Sequence, residues 1–187
     1  GPKGQTNIVD RDEEFTKIIP EKMAGLRPAF TSDGSVTAAN ASTINDGAAA
    51  LVLMSEQKAR ELNLKPLAYI RGYADAALAP EQFTIAPSKA IPLAAQKADI
   101  SLDQIDLFEI NEAFAVVAEK FIRDLNLDRD KVNVNGGAMA LGHPIGATGS
   151  ILIGTMLDEL ERRDLQRGLI TMSAGGGMAP AIIIERV

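Results

Sequence analysis

One histidine, His143, stands in the run Asn135-Gly136-Gly137-Ala138-Met139-Ala140-Leu141-Gly142-His143-Pro144-Ile145-Gly146-Ala147-Thr148-Gly149. Imidazole is the side chain that titrates nearest neutrality, and flanking glycines let backbone and ligand approach it closely, so this spacing supports a proton carrier. Proline is favoured at the first helical position, which predicts a helix over 144–161 with His143 just before it. A helix N-terminus disfavours imidazolium and leaves a neutral ring able to accept a proton. Capping of that helix is the plainer reading of His143, and the two are compatible.

Asn111 and Glu112 follow directly on an apolar run, the place where ligand-contacting groups collect in α/β sheets. Asn111 has the groups to anchor a water or a carbonyl oxygen, and Glu112 to orient a backbone donor; capping of the next helix is the alternative for the pair. Gly175-Gly176-Gly177 reads either as a hairpin turn or as a set of unhindered amides that converge on an oxyanion. It lacks the lysine and following helix of a nucleotide phosphate loop. Ser173 beside it has no base in its own segment and is a weak nucleophile without one.

Composition removes several alternatives. Zero cysteines exclude a disulfide framework, a thiolate metal site and a cysteine nucleophile within the chain, and one histidine makes no persuasive metal site. With 25 acidic against 19 basic residues the net charge is -6, which offers no broad basic surface for nucleic acid. The apolar run 179–184 is too short to span a bilayer and no secretory leader opens the chain, so a cytoplasmic protein is expected.

The elements that must position these residues follow from apolar periodicity. Residues 1–43 are turn-rich and read as an extended lead-in. Strands are predicted over 48–54, 66–77, 105–110, 168–172 and 179–184, the last two joined as an antiparallel hairpin. Helices are predicted over 56–62, with Ser55 as cap, over 87–97 presenting Ile91, Leu93, Ala94 and Ala95, and from Glu112 with a stripe of Phe114, Val117, Phe121, Ile122 and Leu125. The expected fold class is α/β, with layered helices around a mixed five-stranded sheet.

The segments Asp33-Gly34-Ser35-Val36-Thr37-Ala38-Ala39-Asn40-Ala41-Ser42, Asn45-Asp46-Gly47-Ala48-Ala49, Asn111-Glu112-Ala113-Phe114-Ala115, Asn135 through Gly146, and Gly175-Gly176-Gly177-Met178 occur in order. Together they resemble the C-terminal part of a thiolase, an acetyl-CoA acetyltransferase or 3-ketoacyl-CoA thiolase. The resemblance implies a thiolase-like C-terminal half over 44–187, with 1–43 as the tail of a loop domain. It implies that His143 activates a nucleophilic cysteine and contributes to an oxyanion hole, that Asn111 holds a water there, and that the Gly175 amide supports a second oxyanion hole. Phe114 would line the acyl and pantetheine channel.

Ser173 stands where the resemblance calls for an acid/base cysteine, and the acylated cysteine has no counterpart. The function so implied is the C-terminal portion of an enzyme that moves acyl groups between acyl-CoA and acetyl-CoA, inactive alone. Its partners would be a missing N-terminal half carrying the nucleophile, acyl-CoA, and further copies in a homo-oligomer of the complete enzyme. No tightly bound cofactor is implied, coenzyme A thioesters being substrates. A non-catalytic acyl-CoA-binding or assembly module is the alternative, whereas a condensing enzyme built on two histidines fits less well.

Overall fold

Alternation along the last strand explains how the layers assemble. The computed structural model describes residues 1–187. In β4 (Met178–Arg186) the side chains of Ala179, Ala181 and Ile183 enter one apolar cluster, while Ile182 and Ile184 point into another. The first cluster joins β4 to Ala90, Ile91, Ala94 and Ala95 of α3 (Pro87–Ala98) and to Val117 and Phe121 of α4 (Ala115–Asp124). The second is closed by Leu152, Met156 and Leu160 of α6 (Thr148–Arg162). Helices therefore cover both faces of one sheet, which is the layered α/β arrangement.

The sheet order is β1 (Ala68–Ala77), β4, β3 (Arg167–Thr171), β2 (Leu107–Ile110). The β1–β4 and β4–β3 pairs are antiparallel, and β3–β2 is parallel. The segment between β2 and β3 carries α4, the short α5 (Ala138–Leu141) and α6, as a parallel pairing requires a long crossover. Two further helices, α1 (Pro20–Met23) and α2 (Glu56–Glu61), precede β1. Ser55 caps α2 by accepting the Lys58 N–H at 3.1 Å, as its sequence position predicts.

The sheet has four strands, which corrects the expected five. The missing member is 48–54, whose backbone makes no hydrogen bond within the chain and whose Val52 and Leu53 are exposed. An apolar run states that a strand wants burial but not what it pairs with, and here the segment follows the Ile44 bridge to the histidine loop and joins neither edge of the sheet.

Two helices also start later than expected. Pro144 to Ala147 form a turn, and α6 begins at Thr148, because the His143 backbone is tied to a distant segment instead of entering a helix. The helix expected from Glu112 begins at Ala115, since Phe114 is extended and bridges Ala41. Leu93 of α3 faces solvent, unlike Ile91, Ala94 and Ala95. No residue before Ala59 is fully buried, so the lead-in has no core of its own.

Candidate functional site

His143 is held from both sides. Its N–H is shared between the Thr43 carbonyl and the Asn45 Oδ1, each at 3.0 Å, and residues 44 and 143 form a parallel bridge. Asn45 is fixed in turn by the Thr43 hydroxyl, which donates to Oδ1 at 2.8 Å, and by its own Nδ2, which donates to Glu14 Oε2 at 2.9 Å. Gly142 has φ of 93°, and any Cβ there would run into the Asn45 amide, so only glycine lets the two segments close. On the ring side, Nδ1 lies 2.7 Å from Thr148 Oγ1 at the first turn of α6. Partial burial lowers the proton affinity of the ring and favours neutral imidazole.

Asn111 sits one residue past β2, where its N–H donates to the Thr171 carbonyl at 3.0 Å. The strand end is sealed by Asn133, whose amide accepts from the Ile110 N–H at 2.8 Å and donates to the Ile110 carbonyl at 2.9 Å. The Asn111 side chain is only 2 % exposed, yet neither Nδ2 nor Oδ1 has a partner. Buried amides of this kind are rare and point to a polar group that belongs in the site. Asn111 faces a cavity of about 370 Å³ also walled by Glu109, Asn45, Gly142, Pro144 and Thr148.

Glu109 is the residue that sequence reading missed. It lies two positions before Asn111 in β2, is 3 % exposed, and has its carboxyl pushed up to about 8, first by burial and then by the charges of Glu112 and Glu159. Its signal in the sequence was an acid inside the run Leu107-Phe108-Glu109-Ile110, on the same strand face as Asn111. Glu112 works on the loop: its carboxylate accepts from Asn133 Nδ2 at 2.9 Å and the Met139 N–H at 3.3 Å. Glu159 of α6 is gripped by Arg162 and Arg163, which hold its carboxyl down at about 2, and it accepts from Asn135 Nδ2 at 3.1 Å.

Of the expected site residues only Asn111 lines this cavity: its wall takes in Gly142 and Pro144 on either side of His143 but not His143 itself, nor Ser173, Gly175 or Phe114. Ser173, just beyond β3, is 8 % exposed and its hydroxyl has no partner. It is next to Met172, whose sulfur packs near Gly149 in the first turn of α6, and it follows β3 at the same end of the sheet at which Asn111 follows the parallel β2. The glycine triplet makes a hairpin turn: Ala174 and Met178 exchange N–H to carbonyl bonds at 2.7 and 3.2 Å, and the exposed Gly175 N–H enters no backbone bond. Gly177, at φ of 89°, lies against the Leu78 carbonyl and leaves no room for a Cβ. Phe114 packs edge-on against Phe30, with ring centroids 5.7 Å apart, and so joins the lead-in to the core cluster.

Comparison with known proteins now decides the family. The thiolase C-terminal domain matches residues 64–186, and the thiolase N-terminal domain matches residues 1–57. The chain belongs to the thiolase family.

An acetyl-CoA acetyltransferase of Schizosaccharomyces pombe is 50 % identical over 186 residues, covering 99 % of this chain and 47 % of that protein. A cytosolic acetyl-CoA acetyltransferase of Gibberella zeae is 47 % identical over 188 residues, covering 100 % of this chain and 48 % of that protein. The crystal structure of an Ascaris suum thiolase in complex with coenzyme A superposes with a TM-score of 0.88 at 44 % identity, over 96 % of this chain and 47 % of that one. The chain thus spans about half the length of the curated relatives it matches.

The matches correct the reading of the chain as the C-terminal part alone. Residues 1–57 match the N-terminal domain, so that domain type is represented within this polypeptide and is not a missing partner. What the chain lacks is any cysteine, in either matched domain. The lead-in concealed this because it is turn-rich and builds no core of its own. No cluster of three or more His, Cys, Asp or Glu residues is placed to hold a metal, and no helix is long and apolar enough to cross a membrane.

Proposed function

We propose that this chain binds coenzyme A thioesters at the sheet end that carries Asn111, by the His143 loop, and that the site serves acyl transfer of the thiolase type. The observation that carries the reading is the buried, unpartnered Asn111 amide, facing a cavity walled by Gly142, Pro144 and Thr148 from the histidine loop, in a chain of this family. Asn111 Nδ2 donates to the thioester carbonyl oxygen, or to a water that reaches it, and so favours the negative charge that develops there. His143 takes up a proton released in the reaction.

Gly175 offers its free N–H to a second oxyanion position, and Phe114 borders the acyl channel. Residues 1–43 serve as a lead-in strapped over the body formed by 44–187. A cytosolic setting accords with the relative from Gibberella zeae.

Ser173 limits what the site achieves. A serine hydroxyl gives up its proton far less readily than a thiol, and no cysteine of this chain is there to carry an acyl group. The reading is therefore binding and carbonyl polarisation, with acyl transfer on the chain's own residues slow or absent.

Titration calorimetry with acetoacetyl-CoA and with free coenzyme A tests it. The thioester should bind more tightly than the free thiol, and Asn111→Leu should erase that preference. Equal affinity for both ligands, or none for either, would overturn the assignment. Acetoacetyl-CoA thiolysis is expected to rise in Ser173→Cys relative to the parent chain.

A further inference from the structure

Thr148 holds the key to which ring nitrogen of His143 is free. Its side chain is buried, and its single hydroxyl oxygen has two neighbours: His143 Nδ1 at 2.7 Å and the Pro144 carbonyl at 3.0 Å. A carbonyl has no proton to give, so the Pro144 contact is a hydrogen bond only if the hydroxyl donates. Return bonding of this kind, from a threonine to the carbonyl four residues back, is a regular habit of helical threonines. The one hydroxyl proton is then spent on Pro144, and Oγ1 turns a lone pair toward Nδ1. Nδ1 must supply the proton of that short contact. The opposite assignment would press two oxygen lone pairs together at 3.0 Å in a buried place.

We propose that Thr148 is a positioning residue that locks His143 in the tautomer protonated on Nδ1, so that Nε2 presents a bare lone pair. Which nitrogen of a neutral histidine carries the proton is set by the hydrogen bond the other one makes, and here that bond is built into the first turn of α6.

The consequence for chemistry rests on the proposed thioester site. A coenzyme A thiol that enters it loses its proton to Nε2; the S–H electron pair stays on sulfur, leaving a thiolate, and the ring becomes imidazolium with N–H groups on both sides. The new Nε2–H is then a donor for the carbonyl oxygen that takes up charge when the thiolate adds. With the proton on Nε2 from the start, the ring could not accept at that position.

Because the chain has one histidine, the two imidazole nitrogens give unambiguous signals in ¹⁵N-labelled protein. The experiment records them in the parent chain, in Thr148→Val, which keeps the shape and loses the hydroxyl, and in Thr148→Ser, which keeps the hydroxyl. The parent chain should show the Nδ1–H form in excess by about tenfold, the worth of one net hydrogen bond. Thr148→Val should bring the two forms to comparable populations, and Thr148→Ser should restore the excess.

A parent spectrum dominated by Nε2–H overturns the proposal whether or not the valine variant folds, and so does a folded Thr148→Val with the parent's tautomer ratio. Acetoacetyl-CoA binding measured on the same samples separates the two ideas: its absence with an intact Nδ1–H excess refutes the thioester site and upholds the role of Thr148.

Discussion

Replacing Glu109 by glutamine should make the protein more stable, by an amount that grows with pH. The carboxyl titrates at 4.5 in its ordinary state and at about 8 in the folded chain, so the folded state holds a proton that the unfolded state has released. Folded Glu109 thus binds more protons than unfolded Glu109 between those values, and stability must fall as pH rises through that window. Below the ordinary value both states are protonated and nothing is lost. Near pH 7 the loss is about 3 kcal/mol, taking about 1.4 kcal/mol per decade of proton affinity, and above the folded value it levels off at about 5 kcal/mol.

Glutamine keeps the shape and cannot ionise, so Glu109→Gln should recover those amounts. Glu112 and Glu159, whose charges help raise Glu109, and Asp12 and Asp46, which also line the cavity, are common to both proteins, so the difference isolates position 109. Urea unfolding followed by circular dichroism across this range measures it. A gap between the two proteins that stays constant with pH, or a glutamine variant less stable on the alkaline side, would refute the reasoning.

Asn111→Leu should raise stability by about 1–3 kcal/mol, the cost of a buried polar group without partners, while abolishing the preference for thioesters; urea midpoints and calorimetry on one preparation test both halves. Gly177→Ala should destabilise the chain by roughly 1–3 kcal/mol or more, because it combines a left-handed backbone with a collision at the Leu78 carbonyl; the loss of thermal midpoint reports it. His143 should titrate by NMR below the usual 6.5, as burial dictates. The sign is opposite to that of Glu109: the unfolded chain gains a proton first, so stability falls as pH drops below that value, and His143→Gln should remove this acid-side loss.

The elements that were legible in the sequence carry their signals locally. Ser55 announces α2, the glycine triplet announces the β3–β4 hairpin, and the spacing of Ile91, Ala94 and Ala95 marks the buried face of α3. The segment 48–54 misled because apolarity is local and pairing is not: nothing in Ala48 through Met54 states that no strand of the sheet pairs with it. The late start of α6 has the same origin, since the His143 N–H is claimed by Thr43 and Asn45. His143 and Asn111 stood out because they interrupt glycine-rich or apolar runs, whereas Glu109 was absorbed into its run. The role of Thr148 required knowing where a hydroxyl proton goes, and that depends on a carbonyl brought into place only by the turn before α6.

The clasp between Asn45 and Gly142-His143 joins residues 98 positions apart, and Gly47 lies close enough to Pro144 that an added Cβ would come within 2.7 Å of its ring. The histidine loop is therefore not a portable cassette. Grafting 138–149 onto another scaffold would carry the imidazole but not its aim, because Thr43 and Asn45 would stay behind. Any reshuffling of this chain by recombination, circular permutation or trimming has to move those two distant stretches as a single inherited unit.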